Sequence, residues 1–550
     1  MLASLTSFVA LALLAAAAPA VDNGYGRTPT LGYNTYNAFA CAPDEAKSLD
    51  SIAALKKHGL IDAGYKTFQI DCGWQSNQRD PKTGAIAVAS DRFPRGLGVV
   101  ADAARGQGMD FGMYTDQGLL SCDTDTSRGA IGSLGHEAAD AAFFASLNAT
   151  TVKVDNCFVD GKDNSPKVPR TDFVTRFKAM GDALKAHGIK GMTICQWGVP
   201  YSSPSNGLQG PAQWTGDIST SYRLSDDIAK GWTSILQISN QAMHIAKRGM
   251  SGPGHFADAD LLEVGNGGLT AAEEKTHFSL WAMLKSNLMV STQMDKASPD
   301  SLALLANKEL LAINQDSMGK PIQLIQRFTN DHDVYAGPLA NGDVAVLIVE
   351  QGNLAGSMKI DFSLLEIVSA DVHDLWTREK KTKVDSYTAE MDQHGCIALR
   401  LSNVERPSTF SDKIAWHPAT SGKGGVRADC SGCSGKSKVG GIDDAAVYRL
   451  DNITAARAKS TLLFDYINAE VQFSFQGETN ERGALIRVNG GEEQSVSFPL
   501  SGYNWDTDVW KNYRVDLTGF VVGGGNYIEI RGGSKLSQYA PDLDRIGIIV

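Results

Sequence analysis

Thr151-Val152-Lys153-Val154-Asp155-Asn156-Cys157 alternates apolar and polar positions and then breaks off in a polar turn, the pattern of a strand that ends where chemistry begins. Strand side chains repeat with period two, so Lys153 and Asp155 point to one side. An ammonium beside that carboxylate keeps it ionised and can also grip a substrate hydroxyl, which makes Asp155 a candidate nucleophile. A lone Lys-x-Asp at a strand end is more often a plain ion pair, so the assignment depends on what the rest of the chain brings to the same place.

The same texture repeats on either side of this stretch. Short apolar runs at Tyr65 to Ile70, Phe111 to Tyr114, Val152 to Asp155 and Met192 to Cys195 are separated by segments of helical period such as Ala46 to His58, Leu97 to Gln107 and Asp172 to His187. About eight such repeats between Leu31 and Gln315, with no Gly-rich dinucleotide turn after the first strand, predict a closed parallel (β/α)8 TIM barrel rather than a doubly wound sheet. Asp71, Asp116, Asp155, Gln196 and Asp260 fall at or just past predicted strand ends. In a barrel those ends converge on one face and build one pocket.

Beyond Pro321 the segments become short alternating strands such as Asp333 to Gly337 and Asp343 to Ile348, which predict an antiparallel β-sandwich domain. A polar Ser/Gly/Lys stretch near Arg406 to Gly425 reads as a linker, and a second all-β unit follows, with strands at Leu462 to Tyr466, Val471 to Phe475 and Tyr527 to Arg531. The expected boundaries are 1–20, 21–316, 317–403, 404–422 and 423–550.

The first of these segments, Leu2 to Ala20, is apolar and ends in Ala18-Pro19-Ala20, a signal-peptidase pattern. A secreted, extracellular protein is expected, with no membrane span, because no later stretch approaches ~20 uninterrupted apolar residues. A net charge of -11 argues against nucleic acid as a partner. Eight cysteines in an exported chain favour disulfides. Asn148-Ala149-Thr150 and Asn452-Ile453-Thr454 are glycosylation sequons.

Seven motifs in the barrel segment, taken in order, resemble glycoside hydrolase family 27, whose best-known members are α-galactosidases. They are Leu31-Gly32-Tyr33-Asn34-Thr35-Tyr36-Asn37, Gly64-Tyr65 to Ile70-Asp71, Gly112-Met113-Tyr114, Lys153 to Cys157, Cys195-Gln196-Trp197-Gly198, Arg223 to Asp227-Ile228, and Asp258 to Leu262 with Glu263 to Asn266. The resemblance implies Asp155 as nucleophile and Asp227 as general acid/base, with Asp226 the neighbouring rival. Such a pair retains stereochemistry, stands about 5–5.5 Å apart, and is expected to have its pKa values driven in opposite directions, Asp155 low and Asp227 high. It also implies hydroxyl contacts from Asp71, Lys153, Gln196, Arg223 and Asp260, and aromatic walls from Tyr33 and Tyr114.

Where the family reads Ile-Asp-Asp-Cys-Trp, this chain has Ile70-Asp71-Cys72-Gly73-Trp74, so one aspartate for the axial O4 and O6 is missing; Cys72 is counted among the substrate contacts, and if it aligns with the family cysteine, Asp71 remains alone. Gln196 replaces a glutamate but still pairs hydroxyls. The resemblance further implies disulfides Cys41–Cys72 and Cys122–Cys157; Cys430 and Cys433 are expected to pair locally, zinc lacking a second ligand pair there, and Cys195 and Cys396 to be buried thiols. No metal or cofactor is expected in the barrel.

The segment from about Lys423 resembles carbohydrate-binding module family 35 through Cys430-Ser431-Gly432-Cys433-Ser434-Gly435, Val439-Gly440, Val488-Asn489-Gly490 and Ala540 to Ile546. That implies a jelly-roll sandwich with Tyr503, Trp505 and Trp510 as stacking residues for polysaccharide. Such modules often hold calcium, but the strand carrying Glu-Ala-Glu is not recognisable, so calcium stays open, as does a purely structural docked domain. The expected function is a retaining exo-glycosidase that hydrolyses terminal α-linked galactose from oligosaccharides or galactomannan. The alternatives are a β-L-arabinopyranosidase, which the weakened O6 contact would favour, and a catalytically silent sugar-binding protein.

Overall fold

The computed structural model describes residues 21–159, 172–203, 207–352, 355–407, 413–471, 479–533 and 537–549. The export segment Leu2 to Ala20 and most of the strand expected at Val471 to Phe475 lie outside the described residues.

Eight parallel strands form the first unit: β1 (Leu31–Asn34), β2 (Thr67–Gln69), β3 (Asp110–Asp116), β4 (Ala149–Asp155), β5 (Gly191–Ile194), β6 (Ser221–Arg223), β7 (Phe256–Asp258) and β8 (Leu288–Val290). Each pairs with the next from β1 to β7, and β1 also pairs with β8. Leu262 closes the ring, bridging Val290 in parallel and donating its N–H to Met289 O at 2.9 Å. Crossover helices α1 (Glu45–Lys57), α2 (Gly98–Gly106), α3 (Glu137–Ser146), α4 (Phe173–Ala186), α5 (Pro211–Trp214), α6 (Trp232–Lys247) and α7 (Ala271–Met283) follow the strands in turn, with α8 (Lys308–Asn314) after β8. Local signals set their starts. Asp44 accepts the Lys47 N–H at 2.8 Å ahead of α1, and Thr270 with Glu273 forms a reciprocal capping box on α7.

Period-two alternation sorts the strand residues. Phe68, Val152, Val154, Ile194 and Tyr222 face the helices, while Gln69, Thr151, Lys153, Thr193, Arg223 and Asp258 line an interior cavity of about 30 Å³. The barrel's inside is therefore polar, unlike the branched apolar layers typical of this architecture, and its floor is continuous with the residues at the strand ends.

The second unit is an antiparallel sheet ordered Gln323–Phe328, His332–Pro338, Val344–Glu350, Cys396–Glu405, Ser369–Asp374, Lys380–Val384, covered by the pair Gly356–Asp361 and Ser386–Met391. Val346, Ile348, Ile360 and Leu399 fill the space between. It docks on α7, where the Trp376 indole donates to Ser279 Oγ at 3.0 Å.

The third unit packs a sheet containing Lys459–Ile467, Trp510–Thr518 and Asp542–Ile549 against one ordered Tyr448–Ala455, Gly523–Arg531, Glu481–Val488, Gln494–Pro499. Ile414–Pro418 pairs along Asp542–Ile549, with Arg545 stacked 3.9 Å from the Trp416 ring centroid. Part of the stretch 404–422, expected as a linker, is thus an edge strand of this sandwich: polar composition hid a strand whose partner is more than a hundred residues away. Two of the residues expected to stack on sugar are also reassigned. Tyr503 and Trp510 are 1% and 3% exposed, and the third, Trp505, already carries Arg482 and Lys438 at 4.6 and 5.5 Å from its ring centroid.

Three acids of this module have partners of their own. Asp465 is held by Arg545 at 2.7 Å, Asp542 by Lys438 at 2.7 Å, and Asp544 by the Ser434 hydroxyl at 2.7 Å. Among the described residues, the cluster of potential metal-ligating groups is Asp116 with Cys122 and Cys157, and those two cysteines are bonded to each other.

One buried arginine ties the three units together. Arg327, from the second unit, pairs with Asp333 at 2.7 Å, donates to Asn240 of α6 at 2.9 Å, and pairs with Glu481 of the third unit.

Candidate active site

The polar side chains at the carboxyl ends of the strands gather in two clusters. The first is built on β1, β2 and β4. Asn34 Nδ2 and Lys153 Nζ donate to the same oxygen of Asp71, Oδ2, at 2.7 and 2.9 Å, and the Asp71 N–H is held by Thr35 Oγ1 at 2.9 Å. Two residues along β4, Asp155 accepts the Tyr114 hydroxyl on Oδ2 at 3.2 Å and the Asn156 N–H on Oδ1 at 3.1 Å. Arg176 of α4 fixes the following turn through Asn156 Oδ1 at 2.8 Å.

Arg223, at the end of β6, organises the second cluster. Its Nη2 reaches Asp227 Oδ1 at 2.9 Å and Asp260 Oδ2 at 2.6 Å, and donates to Asp226 O at 2.8 Å. The Ile228 N–H also donates to Asp260 Oδ2, at 2.8 Å, so the turn after β6 is fastened to the loop after β7. Asp260 (φ 81°) and Trp197 (φ 55°) hold left-handed backbone, strain that bulky side chains accept where the surroundings over-determine it.

Electrostatics join the clusters. Burial drives the Asp155 carboxyl up to about 6; Lys153 opposes the rise, while Asp227 and then Asp71 add to it. Burial likewise lifts Asp260 to about 7, against the pull of Arg223. The Tyr36 hydroxyl, pushed up to about 12 first by burial, responds to Asp227, Lys153, Asp71 and Asp155, and its ring lies 5.6 Å from the Lys153 ammonium. The half-buried Tyr36 ring packs on the cluster of Cys41, Cys72 and Tyr114 beside these groups. Asp155 itself moves opposite to the expectation of a depressed nucleophile: the barrel interior desolvates it, and the nearest cation is committed to Asp71.

Other sequence-derived residues fall as follows. Gln196 is fully buried, and neither its amide oxygen nor its nitrogen has a hydrogen-bond partner among the described residues. Asp226 is 4% exposed, whereas the Asp227 side chain is 52% exposed and is the one whose charge reaches Asp155, Asp260 and Tyr36. Asp116 pairs in register with Asp155 but is directed at the loop, accepting the Cys157 N–H at 2.9 Å. All three expected disulfides are formed, and Cys195 and Cys396 are buried thiols.

Three assignments change. Tyr33 is fully buried behind the barrel, stacked on Phe68 at 5.4 Å with its hydroxyl against Ser51 of α1; β1 alternation turns Asn34 inward, so Tyr33 has to face the helix. Tyr114 is also 0% exposed and serves as a hydrogen-bond donor to Asp155 rather than a wall. Cys72, expected among the substrate contacts, offers no polar side-chain group, because its sulfur is bonded to Cys41 in an apolar cluster with Tyr36 and Tyr114.

Residues that the sequence reading did not place in the site are Tyr36, Asn34 and Cys195, whose sulfur lies 3.4 Å from Arg223 Nη1. Asn34 carried a readable signal, since a polar residue two positions after Gly32 in an apolar run marks the inward face.

The family profile described as alpha galactosidase A matches residues 28–316, and that of the alpha galactosidase C-terminal beta sandwich domain matches residues 329–401. The probable alpha-galactosidase D of Aspergillus terreus is 33% identical over 430 residues, 74% of this chain and 63% of that one. Alpha-galactosidase 3 of Arabidopsis thaliana is 33% identical over 71% of this chain and 84% of its own length. The crystal structure of alpha-galactosidase I from Mortierella vinacea superposes with a TM-score of 0.62 at 29% identity, covering 70% of this chain and all of the other. The chain spans about three fifths of the length of the Aspergillus relatives.

Proposed function

The chain belongs to the alpha-galactosidase family, and from that premise we propose that it is a retaining exo-glycosidase that releases terminal α-linked galactose from oligosaccharides or galactomannan side chains. The observation that carries this reading is that Asp155, beside the Lys153–Asp71 pair, and Asp227, held by Arg223, stand past the ends of two barrel strands and act on each other electrostatically.

In the first step Asp155 attacks the anomeric carbon while Asp227 gives its proton to the glycosidic oxygen; the C1–O bond to the aglycone breaks and a glycosyl ester on Asp155 forms. Asp227, now ionised, takes a proton from water, whose oxygen attacks C1 and displaces Asp155. Galactose leaves with the α configuration retained. Asp71, Lys153, Gln196 and Asp260 supply polar groups for the sugar hydroxyls. Gln196 supports that role directly, because an amide buried without partners costs about 1–3 kcal/mol unless something pairs it. Tyr36 takes the place of Tyr33 as the aromatic wall for the ring's C–H face.

Attack requires ionised Asp155. Its ordinary value of 3.8 is carried up to about 6, so kcat/KM is expected to fall as pH drops through about 6, with the free enzyme protonated and inactive below. A pH profile on a chromogenic α-galactoside measures this; full activity held down to pH 4 would remove the role given to burial.

The lone Asp71 favours a second reading, preference for a sugar without a sixth carbon, because one of the two aspartates expected for O4 and O6 is missing before the bridged Cys72. Nitrophenyl α-galactoside turning over faster than the β-L-arabinopyranoside is the expected result, and the reverse order would make β-L-arabinopyranosidase the better description. Turnover of neither, by folded protein that still binds galactose, would leave a silent sugar-binding protein.

Export through the Leu2 to Ala20 segment completes the proposal, supported by the three disulfides. Asn148 and Asn452 are both exposed and are proposed to carry N-glycans. The third unit is proposed as a sandwich of carbohydrate-binding ancestry that is docked on the barrel.

A further inference from the structure

One side chain joins the turn after β1 to the carboxylate just past β2. Asn34, the last residue of β1, is fully buried, and its amide is bonded at both ends. Nδ2 donates to Asp71 Oδ2 at 2.7 Å and to Gln69 Oε1 at 2.8 Å, while Oδ1 accepts the Tyr36 N–H at 2.8 Å. These partners demand a group of this size that donates twice and accepts at once, which an asparagine amide does. An ionised aspartate there would accept without donating, and a leucine would do neither.

The bonds fix Asp71 from both of its oxygens. Oδ2 receives Asn34 and, at 2.9 Å, the Lys153 ammonium; Oδ1 receives the Cys72 N–H at 2.9 Å. One of the two aspartates expected for O4 and O6 is missing in this chain, so the direction of the remaining carboxylate matters more. Through Oδ1 the same amide holds the backbone of Tyr36, whose ring lies 5.6 Å from the Lys153 ammonium. The far end of the turn is held separately, because the Asn37 N–H donates to Ser291 Oγ at 2.8 Å and that hydroxyl donates to Asn34 O at 2.8 Å. The path of the chain therefore does not depend on the Asn34 side chain, whereas the aim of Asp71 does. Among the described residues, the side-chain hydrogen bonds of Asn34 reach neither Asp155 nor Asp227.

We propose that Asn34 is a positioning residue of the sugar site: its amide aims Asp71 at the sugar hydroxyls and holds the Tyr36 turn beside it, so that carboxylate and ring form one rigid side of the pocket. The identity of the sugar rests on the glycosidase reading above. The consequence is selective, since a group that orients binding residues and touches neither reacting carboxylate is felt in KM before kcat.

The test uses the full chain with Asn34→Ala and Asn34→Asp. Galactose binding is titrated calorimetrically, turnover of nitrophenyl α-galactoside is measured per competent site, counted with a fluorinated galactosyl inactivator, and amide exchange is followed at residues 36 and 72. Asn34→Ala is expected to raise both the galactose Kd and KM roughly 10-fold, with kcat within about 3-fold of wild type and faster exchange at both residues. In Asn34→Asp the introduced carboxyl can donate to Asp71 only while it holds its proton. The charged groups facing it are Asp71 and Lys153, with Gln69 and the Tyr36 N–H as its neutral neighbours, and burial beside Asp71 keeps it protonated above the ordinary aspartate value. The ratio of its galactose Kd to that of wild type, in which the titration of Asp155 cancels, should thus lie near one at pH 4.5 and climb to at least the alanine level by pH 8. An alanine variant that binds galactose within about 2-fold of wild type, one that loses kcat with KM unchanged, or an Asn34→Asp ratio that ignores pH would overturn the proposal. If the alanine variant does not fold, the pH series on Asn34→Asp decides. Should wild type neither bind nor turn over galactose, the functional reading fails, while exchange at 36 and 72 still judges Asn34: unchanged exchange in the variants would overturn its role.

Discussion

Asp155→Asn is expected to abolish turnover and stabilise the fold at the same time. The amide keeps the shape and accepts the Tyr114 hydroxyl but cannot form the glycosyl ester, so kcat should fall by roughly 10⁴-fold or more. The stabilisation follows from burial. A carboxyl raised from 3.8 to about 6 in the folded state prefers its proton there, so its ionised form works against folding. That penalty is absent below the unfolded value, grows as pH rises from about 4 to about 6, and above that amounts to about 3 kcal/mol. At pH 7 the variant should therefore melt several degrees above wild type, and at pH 4 the two should nearly coincide. Thermal melts at both pH values, alongside single-turnover assays, check it. A variant that is inactive and less stable at pH 7 would mean that Asp155 is paired more tightly than the geometry indicates.

Asp227→Ala should give a different pattern of loss. General acid help contributes about 10²–10⁴-fold, and mostly for leaving groups that depart poorly without a proton. The alanine variant should be nearly inactive on an α-galactosyl disaccharide yet still form the glycosyl-enzyme from nitrophenyl α-galactoside. It should then stall, because water is no longer activated. Added azide, a nucleophile needing no base, should restore turnover and yield the α-galactosyl azide. Asp226→Ala, which removes a buried acid whose carbonyl rather than carboxylate meets Arg223, should respond to azide not at all. Azide rescue of the Asp226 variant in place of the Asp227 variant would exchange their roles.

Much of this was readable in the chain before any coordinates. The run through Asp155 identified β4 because two rules act on the same residues: strand periodicity puts Lys153 and Asp155 on one side, and a barrel gathers strand ends on one face. Asp71 and Asp260 followed from the same logic, whereas Arg223 and Asp227 came only from the resemblance of their motif to glycoside hydrolase family 27. Tyr33 and Tyr36 show where it stops. Both lie in one motif three residues apart, and the choice depends on Tyr36 lying just past β1, where alternation no longer holds and only the loop's path decides direction. Ile414–Pro418 escaped because a strand is recognised by its partner as much as by its own residues, and its partner lies at the far end of the chain. Tyr503 and Trp510 resemble a sugar platform in composition; Tyr503 is buried against His244 of another unit and Trp510 against Tyr466 and Tyr513 of its own sandwich, packing that no local pattern encodes. The direction of the Asp155 shift needed three-dimensional knowledge as well, since the sequence places Lys153 beside it but does not show that the ammonium is spent on Asp71.

The most direct test of the account is to trap the intermediate. Incubation with a slowly turned-over fluorinated α-galactosyl donor, followed by peptide mapping in a mass spectrometer, should find one galactosyl-derived adduct per chain, on the carboxylate of Asp155. An adduct on Asp71, Asp227 or Asp260, or none while the donor is consumed, would contradict it.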